Sequence, residues 1–162
     1  MMAKHRAYYR SPIGVIEIVG TEEGLTAVNF VRRKPRGTTR SHPALRAAVA
    51  QIEEYFRGNR SRFTLPFSTA GTDFQKEVWG QLVRTPYGKT ATYAEVARAI
   101  GRPKAVRAVG QANHRNPISI IIPCHRVIGS DGRLVGYGGG LWRKEWLLAH
   151  ERENIPRARA WR

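Results

Sequence analysis

Near residue 70 the character of this chain changes, from short β-branched runs and one amphipathic segment to a series of short helices with explicit start signals. Ahead of that point, Ile13 to Val19 and Leu25 to Phe30 are short runs rich in β-branched and apolar residues. Gly20 to Gly24 between them is turn chemistry, so the pair predicts a hairpin. Arg32 to Gly37 is basic and rich in breakers, as expected of a solvated surface loop. Leu45, Ala48, Val49, Ile52 and Phe56 then recur at helical spacing. Pro43 suits the first turn of that helix and Gly58 its end. Phe63 to Phe67 is a candidate for one more short strand.

Beyond residue 70, short helices with explicit start signals take over. Thr72 and Gln75 have capping-box spacing, followed by the stripe Phe74, Val78 and Leu82. Pro86-Tyr87-Gly88 breaks that helix. Thr92 and Glu95 open a second, with Val96 and Ile100 inside and Gly101 at its end. Pro103 is expected to start a third, running to about Asn113. Two short helices joined by Gly-Arg-Pro read as a helix-turn-helix. Ile118 to Ile122 is a buried-strand candidate. Asp131-Gly132, between Val127-Ile128 and Leu134-Val135, signals a hairpin that would form a wing. Gly136 to Gly140 reads as a flexible loop, and Leu141 to Glu151 as a closing helix. The arginine-rich tail, Arg157 to Arg162, is a candidate for disorder. The expected class is α+β. The first 70 residues read as a small α/β unit, and the stretch after them as short helices with a helix-turn-helix.

Charge narrows the partners. The 162 residues hold 28 Lys and Arg against 12 Asp and Glu, a formal net charge of +16. Such an excess favours a polyanion, most commonly nucleic acid. From Arg84 to Arg115 there are seven basic residues and one acid, Glu95, so the helix pair is a candidate DNA-docking surface. No apolar stretch reaches signal-peptide length between Met1 and Gly14, and none reaches membrane-span length, so a cytoplasmic protein is expected. The single cysteine, Cys124, can form no internal disulfide and no Cys-rich metal site. A lone cysteine is commonly an inert buried side chain, so its surroundings must argue for chemistry.

They do so in part. A thiol reacts as its thiolate, and with a free pKa of about 8.5 it needs a base or a positive charge nearby. His125 and Arg126 follow Cys124 directly. Pro123 disfavours a continuing helix or central strand, and a turn there could present both side chains to one pocket. Pro123-Cys124-His125-Arg126-Val127 resembles the active-site signature of the O6-alkylguanine-DNA alkyltransferases. Thr92-Tyr93, Ala105 to Gly110, Asn116-Pro117, Tyr137 to Leu141 and Lys144 to Leu148 resemble further segments of that family, in order and spacing. The resemblance covers residues 72–151 strongly and residues 1–70 in general layout only. It implies a two-domain assembly: an N-terminal α/β domain, residues 1–70, with a small antiparallel sheet and helices, and a C-terminal winged-helix or helix-turn-helix domain, residues 71–162, that carries the active site.

The resemblance implies a set of roles. Cys124 would be the nucleophile and permanent alkyl acceptor. His125 would act as base through a water, and Glu151 would orient it. Asn116 would brace the turn between recognition helix and active-site strand. Tyr93 would help rotate the target nucleotide and donate a proton to the departing guanine, and Arg107 would enter the stack that the base has left. The DNA-contacting set would be Arg107, Ala105, Gly110, Tyr93 and Arg126, and the substrate pocket Tyr137, Gly138, Val127 and Ser119. The implied substrate is double-stranded DNA carrying O6-alkylguanine, bound in the minor groove by a monomer, with O4-alkylthymine and cooperative binding left open. The base must be flipped out to reach a pocketed thiolate. No cofactor is implied. Some relatives carry an N-terminal zinc site, but this half has no cysteine, so no metal is expected there. Ser119 stands where some relatives have proline, and Gly138 where some have serine, which leaves the accepted range of alkyl groups open. Cys124 argues against the non-catalytic alkyltransferase-like damage sensors. Nothing specifies the oxyanion hole of a cysteine hydrolase, and a plain helix-turn-helix regulator would leave the Pro-Cys-His-Arg-Val segment idle.

Overall fold

The computed structural model describes residues 2–36 and 42–159, with the backbone alone for 156–159. Gly37 of the basic loop and residues 160–162 of the tail lie outside the described residues. The chain separates into two compact units, Met1–Ala70 with Asn154–Arg162, and Gly71–Glu153.

In the first unit, β1 (His5–Ser11), β2 (Gly14–Thr21) and β3 (Gly24–Val31) form an antiparallel meander in the order β1-β2-β3. The expected hairpin is β2 and β3. Gly24 turns it with a φ of 146°, open to glycine but strained for other residues. Ile16 and Ile18 on the central strand are fully buried, each contributing roughly 1.5–3 kcal/mol of apolar transfer. The sequence pattern did not announce β1. Only Ala7 of its seven residues is buried, so this edge strand carries no run of alternating apolar residues.

A single 3-10 turn, Pro43–Leu45, leads into α1 (Arg46–Phe56), which buries Ala48, Ile52, Tyr55 and Phe56. Gly58, at φ 76°, ends it. Phe63 to Phe67 does not form the expected strand. Its one parallel bridge, Phe67 to Leu25, is held by Leu25 N–H on Pro66 O and Ser68 N–H on Leu25 O, both at 2.9 Å. Pro66 has no N–H with which to extend a ladder. His5, Glu22 and His42 bring potential metal-ligating atoms within 4.8 Å of one another. The two imidazoles, however, stack at 3.4 Å with planes 3° apart. Their in-plane lone pairs therefore lie in parallel planes and do not converge on one point, and we assign no metal to them.

In the second unit, α2 (Asp73–Leu82) starts with the full reciprocal capping box of Thr72 and Gln75. Thr92 caps α3 (Tyr93–Ala99) by accepting from Glu95 N–H, but Glu95 answers to the Thr92 hydroxyl at 3.3 Å, so only half of that box is backbone capping. The third helix, α4 (Val106–His114), begins later than Pro103, because Arg102 to Ala105 first closes as a turn, Ala105 N–H on Arg102 O at 2.9 Å. Trp79 on α2 donates its indole N–H to Ala112 O at 2.8 Å, locking α2 to α4 with a satisfied buried donor.

Two expectations fail here. Ile118 to Ile122 is buried but is not a strand. It coils into a tight turn, with Ile121 N–H on Ser119 O at 2.8 Å, Ile122 N–H on Ile118 O at 3.0 Å and Ile120 at φ 73°. The wing also fails. Asp131-Gly132 does turn the chain, with Gly129 N–H on Arg133 O at 2.9 Å, but Leu134-Val135 does not pair with Val127-Ile128. That segment is β5 (Val127–Ile128), and it pairs in parallel with β4 (Ala91–Thr92). Val135 cannot return the pairing through its carbonyl, which two side chains already occupy. Helix α5 (Leu141–Arg159) runs past Glu151 and carries helical backbone into the arginine-rich segment read as a candidate for disorder. No helix among the described residues is long and apolar enough to cross a membrane.

Candidate active site

All the residues named below lie in the second unit. Pro123 stops the preceding backbone, and Cys124–Arg126 form one 3-10 turn whose three side chains are buried. This turn, held from both sides, is the frame of the site. Asn116 donates from Nδ2 to Ile122 O at 2.7 Å and accepts Ile118 N–H on Oδ1 at 2.9 Å. It thereby pins both ends of the tight turn and holds Ile120 in a left-handed conformation that costs a β-branched residue about 1–3 kcal/mol. Asn113, at the end of α4, donates to Cys124 O at 3.3 Å.

His125 and Arg126 converge on one carboxylate. His125 Nε2 lies 2.6 Å from Glu151 Oε2, with both side chains fully buried. Arg126 clasps the same carboxylate, Nε on Oε1 at 2.8 Å and Nη2 on Oε2 at 3.0 Å, and spends Nη1 on Thr85 O at 2.7 Å. Gly88 N–H donates to Glu151 Oε1 at 3.1 Å. Burial alone would raise the Glu151 carboxyl, but His125 and Arg126 outweigh it and hold the group well below the ordinary carboxylate range. Burial pulls His125 below its usual pKa despite the carboxylate, so the ring is neutral at pH 7. Its Nδ1 is buried with no protein hydrogen-bond partner. With Nε2–H directed at the carboxylate, Nδ1 is the basic nitrogen. Burial also pushes the Cys124 thiol up, against the opposing pull of Asn116 and the Lys144 charge, so the resting side chain is a neutral thiol.

The expected pocket residues fall around this centre. Val127 is buried on β5, and Tyr137 is buried with its hydroxyl unpartnered. Burial and then the Cys124 sulfur raise the Tyr137 pKa well above 10. Ser119 is half-buried in the tight turn, and Gly138 is exposed, with open space where a Cβ would stand. Tyr93, the first residue of α3, donates to Val135 O at 2.8 Å, and burial, then Cys124, raises its pKa.

Of the expected DNA contacts, Arg107 is exposed on the first turn of α4, and Ala105 caps that helix without a side-chain bond. Gly110 packs beneath the Tyr93 ring, its Cβ direction ending 3.8 Å from Cδ1. Arg126 is a correction. It is buried, its guanidinium committed to Glu151 and Thr85, so it offers nothing to a DNA surface. Lys144 and Asn113 touch the site and were not among the residues expected there. Lys144 shares one face of α5 with Leu147, Leu148 and Glu151, at spacings of three, four and seven, and that apolar company was a legible sign of a buried lysine.

The comparisons with known proteins concern both units. Residues 73–153 match the 6-O-methylguanine DNA methyltransferase DNA-binding domain. Residues 4–69 match the ribonuclease-like domain of the same family. The chain belongs to the 6-O-methylguanine DNA methyltransferase family. The methylated-DNA–protein-cysteine methyltransferase of Methanosarcina barkeri is 51% identical over 150 residues, 90% of this chain and 95% of that protein. The crystal structure of Mycobacterium tuberculosis O6-methylguanine methyltransferase superposes with a TM-score of 0.84 at 43% identity, covering 94% of each chain. A crystal structure of the Mycobacterium tuberculosis protein in complex with DNA gives 0.83 at 44% identity, covering 91% of this chain and 92% of that one. The family's fold, a three-stranded antiparallel sheet with a helix followed by a helical domain, is the α+β class expected from sequence.

Proposed function

We propose that this protein repairs double-stranded DNA by moving an alkyl group from O6 of guanine onto Cys124, once per molecule. Residues 71–162 carry the chemistry and the DNA contacts, and residues 1–70 serve structure. The observation that carries the reading is the buried His125–Glu151 pair at 2.6 Å, whose second ring nitrogen has no protein partner, on the residue that follows Cys124.

The chemistry follows from the charges. Glu151 keeps the imidazole proton on Nε2, leaving Nδ1 to take the Cys124 proton, directly or through one water. The thiolate attacks the alkyl carbon, and a carbon–sulfur bond forms as the carbon–O6 bond breaks. The bonding electron pair leaves with O6, a proton from the Tyr93 hydroxyl neutralises the guanine, and the proton taken up by His125 is returned to the Tyr93 oxygen through solvent. The products are a thioether on Cys124 and ordinary guanine. Nothing regenerates the thiol, so turnover ends there. A thiolate sheltered from water is reached only by a flipped nucleotide, and mispaired O6-alkylguanine flips at lower cost. Arg107, exposed on α4, enters the vacated stack in this reading.

The test is intact mass and peptide mapping after mixing with a duplex bearing one O6-methylguanine. A methyl-sized gain confined to Cys124 and saturating at one per molecule is expected, with Cys124→Ala binding the duplex and gaining nothing. A duplex bound by the native protein without any adduct overturns the reading.

A further inference from the structure

Lys144 is a charged residue with no exposed surface and no carboxylate partner among the described residues. Its Nζ donates to Val135 O at 3.1 Å and to Gly136 O at 3.3 Å, and lies 5.9 Å from the centre of the Tyr93 ring. Those two carbonyls begin the glycine-rich loop that carries Tyr137. Tyr137 anchors the loop by burial and Gly140 N–H closes it on Tyr137 O at 2.8 Å, while Gly136 and Gly138 have no neighbour within 4 Å of the Cβ direction. Its far end is tied by the next residue of α5, Arg143, which donates to Gly139 O at 2.5 Å and stacks on Trp142 at 4.5 Å. Val135 O accepts from both Tyr93 and Lys144, so when the Tyr93 hydroxyl turns to the guanine, Lys144 keeps the loop in place.

The charge of Lys144 needs a second explanation, because Gln or Ser would also bond carbonyls. Around the site, the Glu151 carboxylate is matched by Arg126, and His125 is neutral. The ammonium is therefore a surplus positive charge, and the groups it acts on are Cys124 and His125 of the 3-10 turn. We infer that Lys144 is a positioning residue of the transfer site, which pins the loop of residues 135–140 and sets a positive charge toward Cys124 to stabilise its thiolate. This rests on the proposed role of Cys124 as acceptor. The two groups are coupled in both directions. Lys144 pulls the thiol down against burial, and Cys124 pulls the amine up against the burial that leaves it at about 8. The other titratable and charged groups around Cys124 and its loop are His125, Tyr93, Tyr137 and Arg143.

Lys144→Gln keeps a donor for the carbonyls and removes the charge, whereas Lys144→Met removes both. Two readouts are taken between pH 6 and 9.5. One is single-turnover transfer from a saturating O6-methylguanine duplex, and the other is alkylation of Cys124 by iodoacetamide, followed by mass. Lys144→Gln is expected to transfer about tenfold more slowly at pH 7, with both profiles displaced upward by about one pH unit and duplex affinity retained. Lys144→Met is expected to lose more and to melt earlier. A folded Lys144→Gln protein whose profiles superimpose on the native ones overturns the inference. If the native protein fails to transfer while the iodoacetamide profile still moves, the acceptor reading fails and the role of Lys144 stands. Should neither variant fold, the coupling is read from the other side. The Lys144 amine, followed by nitrogen NMR, must titrate lower in Cys124→Ala than in the native protein, and an unchanged midpoint overturns the inference.

Discussion

The buried charges of the site converge on Glu151. One carboxylate with no exposed surface accepts from His125, twice from Arg126 and from Gly88 N–H. Glu151→Gln leaves Arg126 buried beside a neutral amide, and an uncompensated buried charge makes this cost about 3 kcal/mol or more. The pH dependence has a definite sign. Glu151 is held below its unfolded value, and so is His125, by burial. Each therefore stabilises the fold fully above its unfolded pKa, and each loses that contribution as the pH falls through its folded value. Native stability should decline on acidification from about pH 6.5 downward, first through His125 and then through Glu151. Melting temperatures between pH 3 and 8 would check this, with Glu151→Gln starting lower and falling less steeply below pH 5. A native curve flat to pH 4 would contradict it. At this scale the sequence was informative where a motif named the atoms. Cys124, His125 and Glu151 were legible through the resemblance, though nothing local marked Glu151 as more than a helix-end carboxylate. Arg126 was misplaced because a basic residue in a basic chain reads as surface until the acid that buries it is known. Lys144 was missed although Leu147 and Leu148, one turn on along the same helix face, pointed to its burial.

The helix pair sets what the site can reach. Its close crossing is legible in one residue, Gly110, inside α4 and packed against the Tyr93 ring. A methyl there would sit 3.8 Å from Tyr93 Cδ1, an ordinary contact, and replacing a mid-helix glycine by alanine gains about 1 kcal/mol. Gly110→Ala should therefore raise the melting temperature by roughly 2–4 °C. If the glycine also lets the α4 backbone approach DNA, duplex affinity should fall while stability rises, and fluorescence anisotropy read beside a melting curve separates the two. A lower melting temperature would show that the crossing is tighter than the structure gives. Elements whose limits are written in side chains, such as the Thr72–Gln75 box and the Gly58 and Gly101 stops, were readable. Elements defined by what packs on them were not. The edge strand β1 has a polar surface, and the Ile118–Ile122 run looks like a strand because four of its five residues are isoleucine. Asn116 and a left-handed Ile120 instead fold it into a turn that no period describes.

Over the whole molecule the governing quantity is the net charge of +16, which makes affinity for any DNA a matter of counterion release. Logarithmic affinity should fall linearly with logarithmic salt, with a slope that counts neutralised phosphates and not lesions. The structure divides the arginines into those that can enter this count and those that cannot. Arg107 is exposed on α4, whereas Arg126 is spent on Glu151 and Thr85. Arg107→Ala should lower affinity for intact and damaged duplex alike if it only neutralises a phosphate, reducing the slope by about one. If Arg107 fills the vacated stack, the damaged duplex should lose more than the intact one, because only there is a nucleotide held out. Arg126→Gln should leave the slope of its folded fraction unchanged and appear instead as a large drop in melting temperature. Anisotropy titrations at several salt concentrations, on matched duplexes with and without O6-methylguanine, distinguish these outcomes. A slope that changes with Arg126 and not with Arg107 would place the DNA on a different face of this domain.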